Sequence, residues 1–317
     1  MRTILVTGGC GFIGSNLIDK LLDLGFKVIC LDNFDDFYPK EIKIQNISSA
    51  LRNKNFTLFE GDLNVQDDID ACFKFGKIDI VVHLAAKAGV RPSIEDPLAC
   101  FNTNIFGTLN LLEVMRKNNV VKIVFASSSS VYGNNKVVPF SESDNVDSPI
   151  SPYAASKKSG ELICYTYHQL YNFDVFCLRF FTVYGPRQRP DLAIHKFTNL
   201  ILQDKAIPFY GDGLTARDYT YIDDILDGIL AAINNIKGFN IFNLGESRTI
   251  TLKKMIEILE SKLDKKIKIN SLPQQAGDVD ITYANITKSN KILGYKPKWT
   301  FENGIEMFLK WKLENIN

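Results

Sequence analysis

Over its first 180 residues the chain alternates short β-branched runs with longer helical patterns, and that rhythm is the signature of parallel βαβ units. Strands are expected at 3–7, 27–31, 56–60, 78–84, 122–126 and 174–179, several of them apolar at every position. Continuous apolarity marks strands covered on both faces. Helical patterns fall between them near 12–24, 66–73, 97–117 and 153–171. The fold class that follows is α/β, a doubly wound parallel sheet with helices on both sides.

After Arg179 the rhythm breaks into prolines at 186, 190 and 208, a Gly-Asp-Gly turn at 211–213 and isolated helices near 193–202, 222–234, 252–263 and 302–314. This is the pattern of a smaller α+β domain capping the carboxyl edge of the sheet. We therefore expect one domain over 1–180 that carries the parallel sheet and a second, smaller one mainly over 181–317. The segment FNIFNL at 239–244 reads as one more strand; its return to the main sheet within 218–245 would make the second domain discontinuous.

Composition narrows the partners. Hydrophobic residues make up 45% and charged ones 23%, which excludes a disordered or collagenous chain. With 37 Lys plus Arg against 36 Asp plus Glu the net charge is +1, so neither nucleic acid nor an anionic membrane is expected as the main partner. No apolar run approaches the roughly 18 residues of a membrane span, and the N-terminus enters a strand without the pattern of a signal peptide, so the cytoplasm is the default. Six scattered cysteines contain no C-x-x-C pair, and the three histidines lie far apart, so reduced thiols and no structural metal are expected.

The first strand runs into Thr7-Gly8-Gly9-Cys10-Gly11-Phe12-Ile13-Gly14, with glycines at 8, 11 and 14 where a helix begins. Glycine there permits a tight turn and lets backbone N–H groups approach a pyrophosphate, whose charge the helix N-terminus favours. Asp32, at the end of strand two, follows Gly14 by 18 residues. An acid at that point accepts hydrogen bonds from a ribose 2′-hydroxyl and repels a 2′-phosphate, so NAD is expected over NADP. Asp62 either reaches the adenine amino group or caps the following helix. His83-Leu84-Ala85-Ala86 ends strand four with small residues that let the chain pass close to a cofactor, and His83 itself reads as a packed core residue.

Tyr153 and Lys157 stand at i and i+4, on one helix face. A tyrosine that acts as a base near neutrality needs its pKa lowered by roughly three units, about 4 kcal/mol of differential stabilisation. Lys157 and the positive charge of an oxidised nicotinamide can supply it by favouring phenolate. Upstream, strand five ends in Ser127-Ser128-Ser129-Ser130-Val131-Tyr132-Gly133, delivering hydroxyls to the sheet edge where open α/β folds bind ligands.

With the glycine fingerprint, Asp32, Asp62-Leu63, the serine run and Tyr153-x-x-x-Lys157 in this order, the sequence resembles the extended short-chain dehydrogenase/reductases over essentially its whole length. The resemblance implies a Rossmann domain, Tyr153 as catalytic acid/base, Lys157 on the nicotinamide ribose and Ser128 on the reacting sugar hydroxyl. It implies a cofactor site that adds Phe12, Ile13, Asn33, Leu63, Leu84, Ala85, Ala86, Lys87 and Asn104 to the residues above. Dehydratases and decarboxylases of that family usually carry glutamate just before the Val/Leu-Tyr-Gly, where this chain has Ser129 and Ser130. Hydroxyls without a further acid suit reversible oxidation and reduction, hence epimerisation.

The segment Arg179 to Asp191 most closely resembles the UDP-glucuronate 4-epimerase branch, with Thr182 where UDP-galactose 4-epimerases typically place Asn. The branch implies a mechanism in which C4 is oxidised to a keto sugar, the intermediate turns over, and the same hydrogen returns to the other face. Thr182 can donate to a sugar carboxylate and Arg189 can bind one in bidentate fashion; Arg187 and Arg189 equally fit a solvated surface or a diphosphate. Ser127, Ser129, Tyr210 on a uracil-holding loop, Arg217 at the diphosphate and Asp278 near the nucleotide ribose complete the substrate positions that the resemblance implies. Gln274-Gln275 and Asn285 depart from the common pattern. Epimerisation of neutral UDP-sugars, net reduction of a keto sugar and a non-catalytic NAD-binding role are the competing readings. Helices 97–117 and 153–171 carry wide apolar stripes, and in relatives such helices pair across a twofold axis, so a homodimer is expected.

Overall fold

The sheet is built from six strands in the first 180 residues and a seventh from far downstream, in a computed structural model that describes residues 1–273 and 279–315. The six are β1 (Thr3–Thr7), β2 (Lys27–Asp32), β3 (Phe56–Glu60), β4 (Ile80–His83), β5 (Lys122–Ser128) and β6 (Asp174–Phe180). Their spatial order is β6-β5-β4-β1-β2-β3, and Phe239–Leu244 pairs in parallel with β6, from Phe239 against Val175 to Leu244 against Phe180. The returning strand expected from FNIFNL is thus an edge strand of a seven-stranded parallel sheet. Strands β5 and β6 run further than expected, to Ser128 and Phe180, while β4 is shorter.

Alternation along each strand divides the core into two layers. Ile4, Val6, Val28, Cys30, Val124 and Phe176 face the side covered by α1 (Phe12–Asp23) and by the helix Ile222–Asn235. Leu5, Ile29, Val81, Ile123, Phe125 and Val175 face the helices Gly107–Lys117 and Pro152–Tyr171. Helix α1 buries Phe12, Leu17, Ile18, Leu21 and Leu22, the spacing of an amphipathic helix on a sheet. All six cysteines are buried, unpaired thiols.

The expected helix 97–117 is three pieces: Pro97–Phe101, a π-helical turn Asn102–Phe106, and Gly107–Lys117. The extra residue of the π turn accommodates Asn104, whose side chain is drawn into hydrogen bonds with the backbone N–H and C=O of Lys87, at 2.8 and 3.1 Å. The helix Pro152–Tyr171 is bounded as its sequence dictates. Ser151 accepts from the Ala154 amide, Pro152 opens the first turn, and Asn172 closes the helix in the left-handed region. A Cβ on Gly160 would lie 2.3 Å from the Phe125 ring, so this helix rests directly on β5.

Downstream, the strand pairs Thr182–Tyr184 with Tyr219–Tyr221, Ala216–Arg217 with Ile250–Thr251, and Ile207–Tyr210 with Ile269–Leu272 form small separate sheets. Three short helices, Lys40–Asn46, Val90–Glu95 and Thr287–Leu293, were not anticipated from the sequence. No helix among the described residues is long and apolar enough to cross a membrane.

Candidate active site

A cavity of about 680 Å³ lies along the carboxyl ends of β1 to β6. Its floor is the glycine loop. Gly8 has φ +68°, and a Cβ there would sit 2.7 Å from the Ala85 backbone, so only glycine lets the loop lie against the end of β4. A Cβ on Gly14 would reach 2.4 Å from the Gly8 carbonyl oxygen. Helix α1 starts at Phe12 with no side-chain cap, and Phe12, Ile13 and Gly14 line the cavity. An uncapped helix N-terminus aimed into a cleft is a site for an anion, and a dinucleotide's pyrophosphate fits it.

At one end of the cavity Asp32 is buried, accepting from the amides of Cys10 and Phe34, each at 2.9 Å. Burial raises its carboxyl pKa, while those two amides and the Lys43 charge pull it back down. A carboxylate has lone pairs beyond these two bonds, enough for ribose hydroxyls. Asn33 donates to Asp62 at 2.9 Å, and Asp62 accepts from the Asn64 amide at 2.8 Å. The next helix begins at Gln66 behind Val65, so Asp62 is a cavity residue and not that helix's cap.

Leu63, Leu84, Ala85, Ala86 and Lys87 also line the cavity. Lys87 is paired with Asp35 at 2.6 Å. Asn104 stands behind this wall, bonded to the Lys87 backbone and to Ser156 at 2.9 Å. His83 is buried in the core between the hydroxyls of Thr7 (2.7 Å) and Thr108 (3.0 Å), and burial lowers its pKa to about 3.

At the other end Tyr153, Lys157 and Ser128 converge. Burial pushes the Tyr153 phenol up, while the nearby Ser128 hydroxyl and the charge of Arg189 pull it down; the Ser128 hydroxyl itself donates to the Ser130 hydroxyl at 3.0 Å. The Lys157 ammonium donates to the Ala126 carbonyl at 2.7 Å and lies 5.9 Å from the Tyr153 ring centroid. Burial lowers the pKa of Lys157 to about 8. Ser128 also caps the short turn Ser129–Tyr132, accepting from the Ser130 amide at 3.1 Å. Ser129, Ser130, Thr182 and Arg189 complete this end.

Several expected site residues stand elsewhere. Ser127 lines the cavity, but its hydroxyl is turned away and donates to Glu161 at 2.6 Å. Arg187 points to α1, where it pairs with Asp19 at 2.7 Å, outside the cavity lining. Arg189 keeps its place, though its guanidinium already holds Asp191 in bidentate fashion and the Ala88 carbonyl. Tyr210 and Arg217 lie outside the cavity lining, Tyr210 under the Arg91 guanidinium at 5.6 Å. Asp278, with Gln274 and Gln275, falls outside the described residues.

Sequence reasoning missed Lys43, Tyr38 and Phe37, which also line the cavity, from a loop and a short helix with no motif of their own, Phe37 with the Arg189 guanidinium 5.0 Å from its ring centroid. It also missed Glu161, although the spacing Tyr153, Lys157, Glu161 places all three on one helix face.

The model of the GDP-mannose 4,6 dehydratase family matches residues 5–308. The chain belongs to this family, within the extended short-chain dehydrogenase/reductases. It is 42% identical over 317 residues to the UDP-glucuronate 4-epimerase of Thermodesulfobacterium geofontis, covering 100% of this chain and 98% of that one. An uncharacterized protein of Methanocaldococcus jannaschii is 47% identical over 316 residues, 99% of this chain and 97% of that protein. Among solved structures, UDP-glucuronic acid 4-epimerase from Bacillus cereus in complex with UDP-glucuronic acid and NAD superposes with a TM-score of 0.93 at 36% identity, covering 99% of each chain. As a member of the extended dehydrogenase/reductases the chain is an enzyme, and its cofactor is NAD.

Proposed function

We propose that the enzyme interconverts UDP-glucuronate and UDP-galacturonate by epimerisation at C4. The observation that carries this reading is the sugar end of the cavity. Ser129, Ser130, Thr182 and Arg189 line the cavity together with Tyr153 and Ser128. Hydroxyls and a guanidinium suit a sugar carboxylate, and hydroxyls in the place of a further acid leave elimination unassisted.

Bound NAD, held by the Gly8–Gly14 loop and Asp32, would supply reversible hydride acceptance for C4. The rest falls to the chain. Tyr153, as phenolate, removes the proton of the 4-hydroxyl and later restores one. Ser128 holds that hydroxyl and the phenol in one hydrogen-bond chain. Lys157 keeps a cation under the phenol. The backbone of Gly8 to Gly14 takes the pyrophosphate and Asp32 the adenosine ribose, with Asn33, Asp62 and Lys87 around it. Arg189 is preferred to Arg187 for the sugar, since Arg189 lines the cavity and Arg187 lies outside it against α1. Tyr210, Arg217 and Asp278 remain our assignment for the nucleotide of the substrate.

We assign residues 1–180 and the returning segment within 218–245 to the NAD domain, and most of 181–317 to the UDP-sugar domain. The pairing of Phe239–Leu244 with β6 supports the discontinuity. A homodimer is part of the same reading. Leu98 (74% exposed), Phe106 (58%), Leu162 (54%) and Leu170 (69%) stand outside the two helical segments expected to pair, apolar surface of the kind that subunits cover. Six unpaired thiols fit a reducing compartment, and we place the enzyme in the cytoplasm.

The test is incubation of the purified enzyme with UDP-glucuronate and trace NAD, followed by chromatography, beside a UDP-glucose control. UDP-galacturonate should accumulate with no lasting change in nicotinamide absorbance. Faster conversion of UDP-glucose favours the neutral-sugar alternative, and stoichiometric consumption of reduced nicotinamide overturns epimerisation.

A further inference from the structure

Behind the catalytic side chains lies a continuous buried polar chain that the mechanism above does not use. Glu161 is 2% exposed and Arg179 1% exposed. The Glu161 carboxylate accepts from Arg179 through two nitrogens, at 2.8 and 2.9 Å, and from the Ser127 hydroxyl at 2.6 Å. Arg179 donates its remaining terminal nitrogen to the Tyr132 hydroxyl at 2.9 Å, and Tyr132 donates to Asn243 at 2.7 Å. Asn243 in turn donates to the carbonyls of Phe140 and Asn285.

These residues come from the elements that carry the chemistry. Ser127 and Arg179 are direct neighbours across the β5–β6 ladder, so their side chains leave the same face of the sheet and meet at one carboxylate. Glu161 lies one helical turn beyond Lys157 and two beyond Tyr153. Two successive turns of that helix are therefore pinned to two successive residues of β5, Lys157 to the Ala126 carbonyl and Glu161 to the Ser127 hydroxyl. The next residue on the strand is Ser128.

We propose that Glu161 is a positioning residue for the epimerisation. Through Ser127 and Arg179 it sets the register of the catalytic helix against the end of β5, and thereby the distance at which the Ser128 hydroxyl meets Tyr153. This rests on the proposed function for the reaction it serves, but it is a statement about Glu161, which touches neither substrate nor cofactor.

Two alternatives compete: a network that only stabilises the fold, and a Ser127 hydroxyl that binds substrate directly. Ser127→Ala is the gentler variant, because Glu161 and Arg179 stay paired. Glu161→Gln leaves a buried guanidinium without its counter-charge and is the harsher one. Both variants and the double variant are assayed for kcat, KM, bound NAD and the pH dependence of kcat, on whichever UDP-sugar the wild-type enzyme epimerises best.

Each single variant should lose roughly tenfold to a hundredfold in kcat, as small misplacements of reacting groups do. KM should stay within about twofold and bound NAD should be unchanged. The double variant should be no slower than the slower single one, since both remove the same link. The phenol is faced by Lys157 on its own helix, Ser128 on β5, Arg189 across the cavity and Cys100 beside it. Of these Ser128 lowers its pKa, so the acid limb of kcat should move to higher pH when the Ser128 hydroxyl is drawn away from the phenol.

Wild-type kcat in a folded, NAD-loaded Ser127→Ala enzyme overturns the proposal. So does a raised KM at constant kcat, multiplying losses in the double variant, or a loss of kcat with an unmoved acid limb. If Glu161→Gln fails to fold, the kcat and acid limb of Ser127→Ala decide alone. An error in the substrate assignment would show in the wild-type enzyme's preference and leave this comparison intact.

Discussion

Replacing Lys157 by Met should make the protein more stable while disabling it. Lys157 is 4% exposed, and burial lowers its pKa from 10.5 to about 8. A depressed lysine pKa means the folded state disfavours the proton that the unfolded chain keeps. The penalty is therefore fully present below about pH 8 and is relieved as the pH rises from about 8 to 10.5. A shift from 10.5 to about 8 corresponds to about 3 kcal/mol at neutral pH, at about 1.4 kcal/mol per unit. Methionine fills a similar volume without the charge, but gives up the hydrogen bond to the Ala126 carbonyl, worth about 1 kcal/mol.

The net expectation is a gain of about 2 kcal/mol at pH 7 that shrinks as the pH rises and changes sign near pH 10. Several buried tyrosines also titrate in alkali, but they are common to both proteins and cancel in the difference. The assay is urea unfolding of both proteins, stripped of nucleotide, at several pH values between 7 and 10.5. A Lys157→Met protein that is less stable at pH 7, or whose difference from wild type does not vary with pH, would refute the reasoning. Activity should fall steeply throughout, because the cation under the phenol is gone.

Tyr153→Phe should lower kcat by roughly 10²- to 10⁴-fold, the usual reach of general acid–base catalysis, with NAD content unchanged; undiminished turnover would remove Tyr153 from the reaction. Gly8→Ala places a Cβ 2.7 Å from the Ala85 backbone at a φ of +68°, so bound NAD should be lost on gel filtration and stability should drop by about 1–3 kcal/mol. A Gly8→Ala protein that retains NAD and melts like wild type would show that the loop can shift at little expense.

What the sequence revealed and what it withheld divide along a physical line. Apolar runs such as those in β1, β2 and β5 and the glycine loop announce themselves because their constraints are local, a face to bury or a backbone angle to adopt. The helix over 97–117 was legible as a helix, but its π turn was not, since that depends on where Asn104 finds the backbone of Lys87. Short helices such as Val90–Glu95 hold too few residues to show a period. At the site, the Tyr153 and Lys157 pair and the run of serines ending β5 were readable from spacing and order, while Ser128 within that run was singled out only by the family resemblance. The engagements of Ser127 with Glu161 and of Arg187 with Asp19 were not, because each joins residues far apart in the chain. Arg189 with Asp191 is the exception, a pair two residues apart that was open to view.

The late arrival of Phe239–Leu244 has a bearing on biosynthesis. While the ribosome is still adding the segment after β6, that strand offers bare amides and carbonyls along one side, a template for pairing with a neighbouring nascent chain. Only once Leu244 has emerged can the molecule seal that flank with its own sequence. Cotranslational capture by chaperones, or clumping when translation stalls between these two stretches, would be the cellular signature of this ordering.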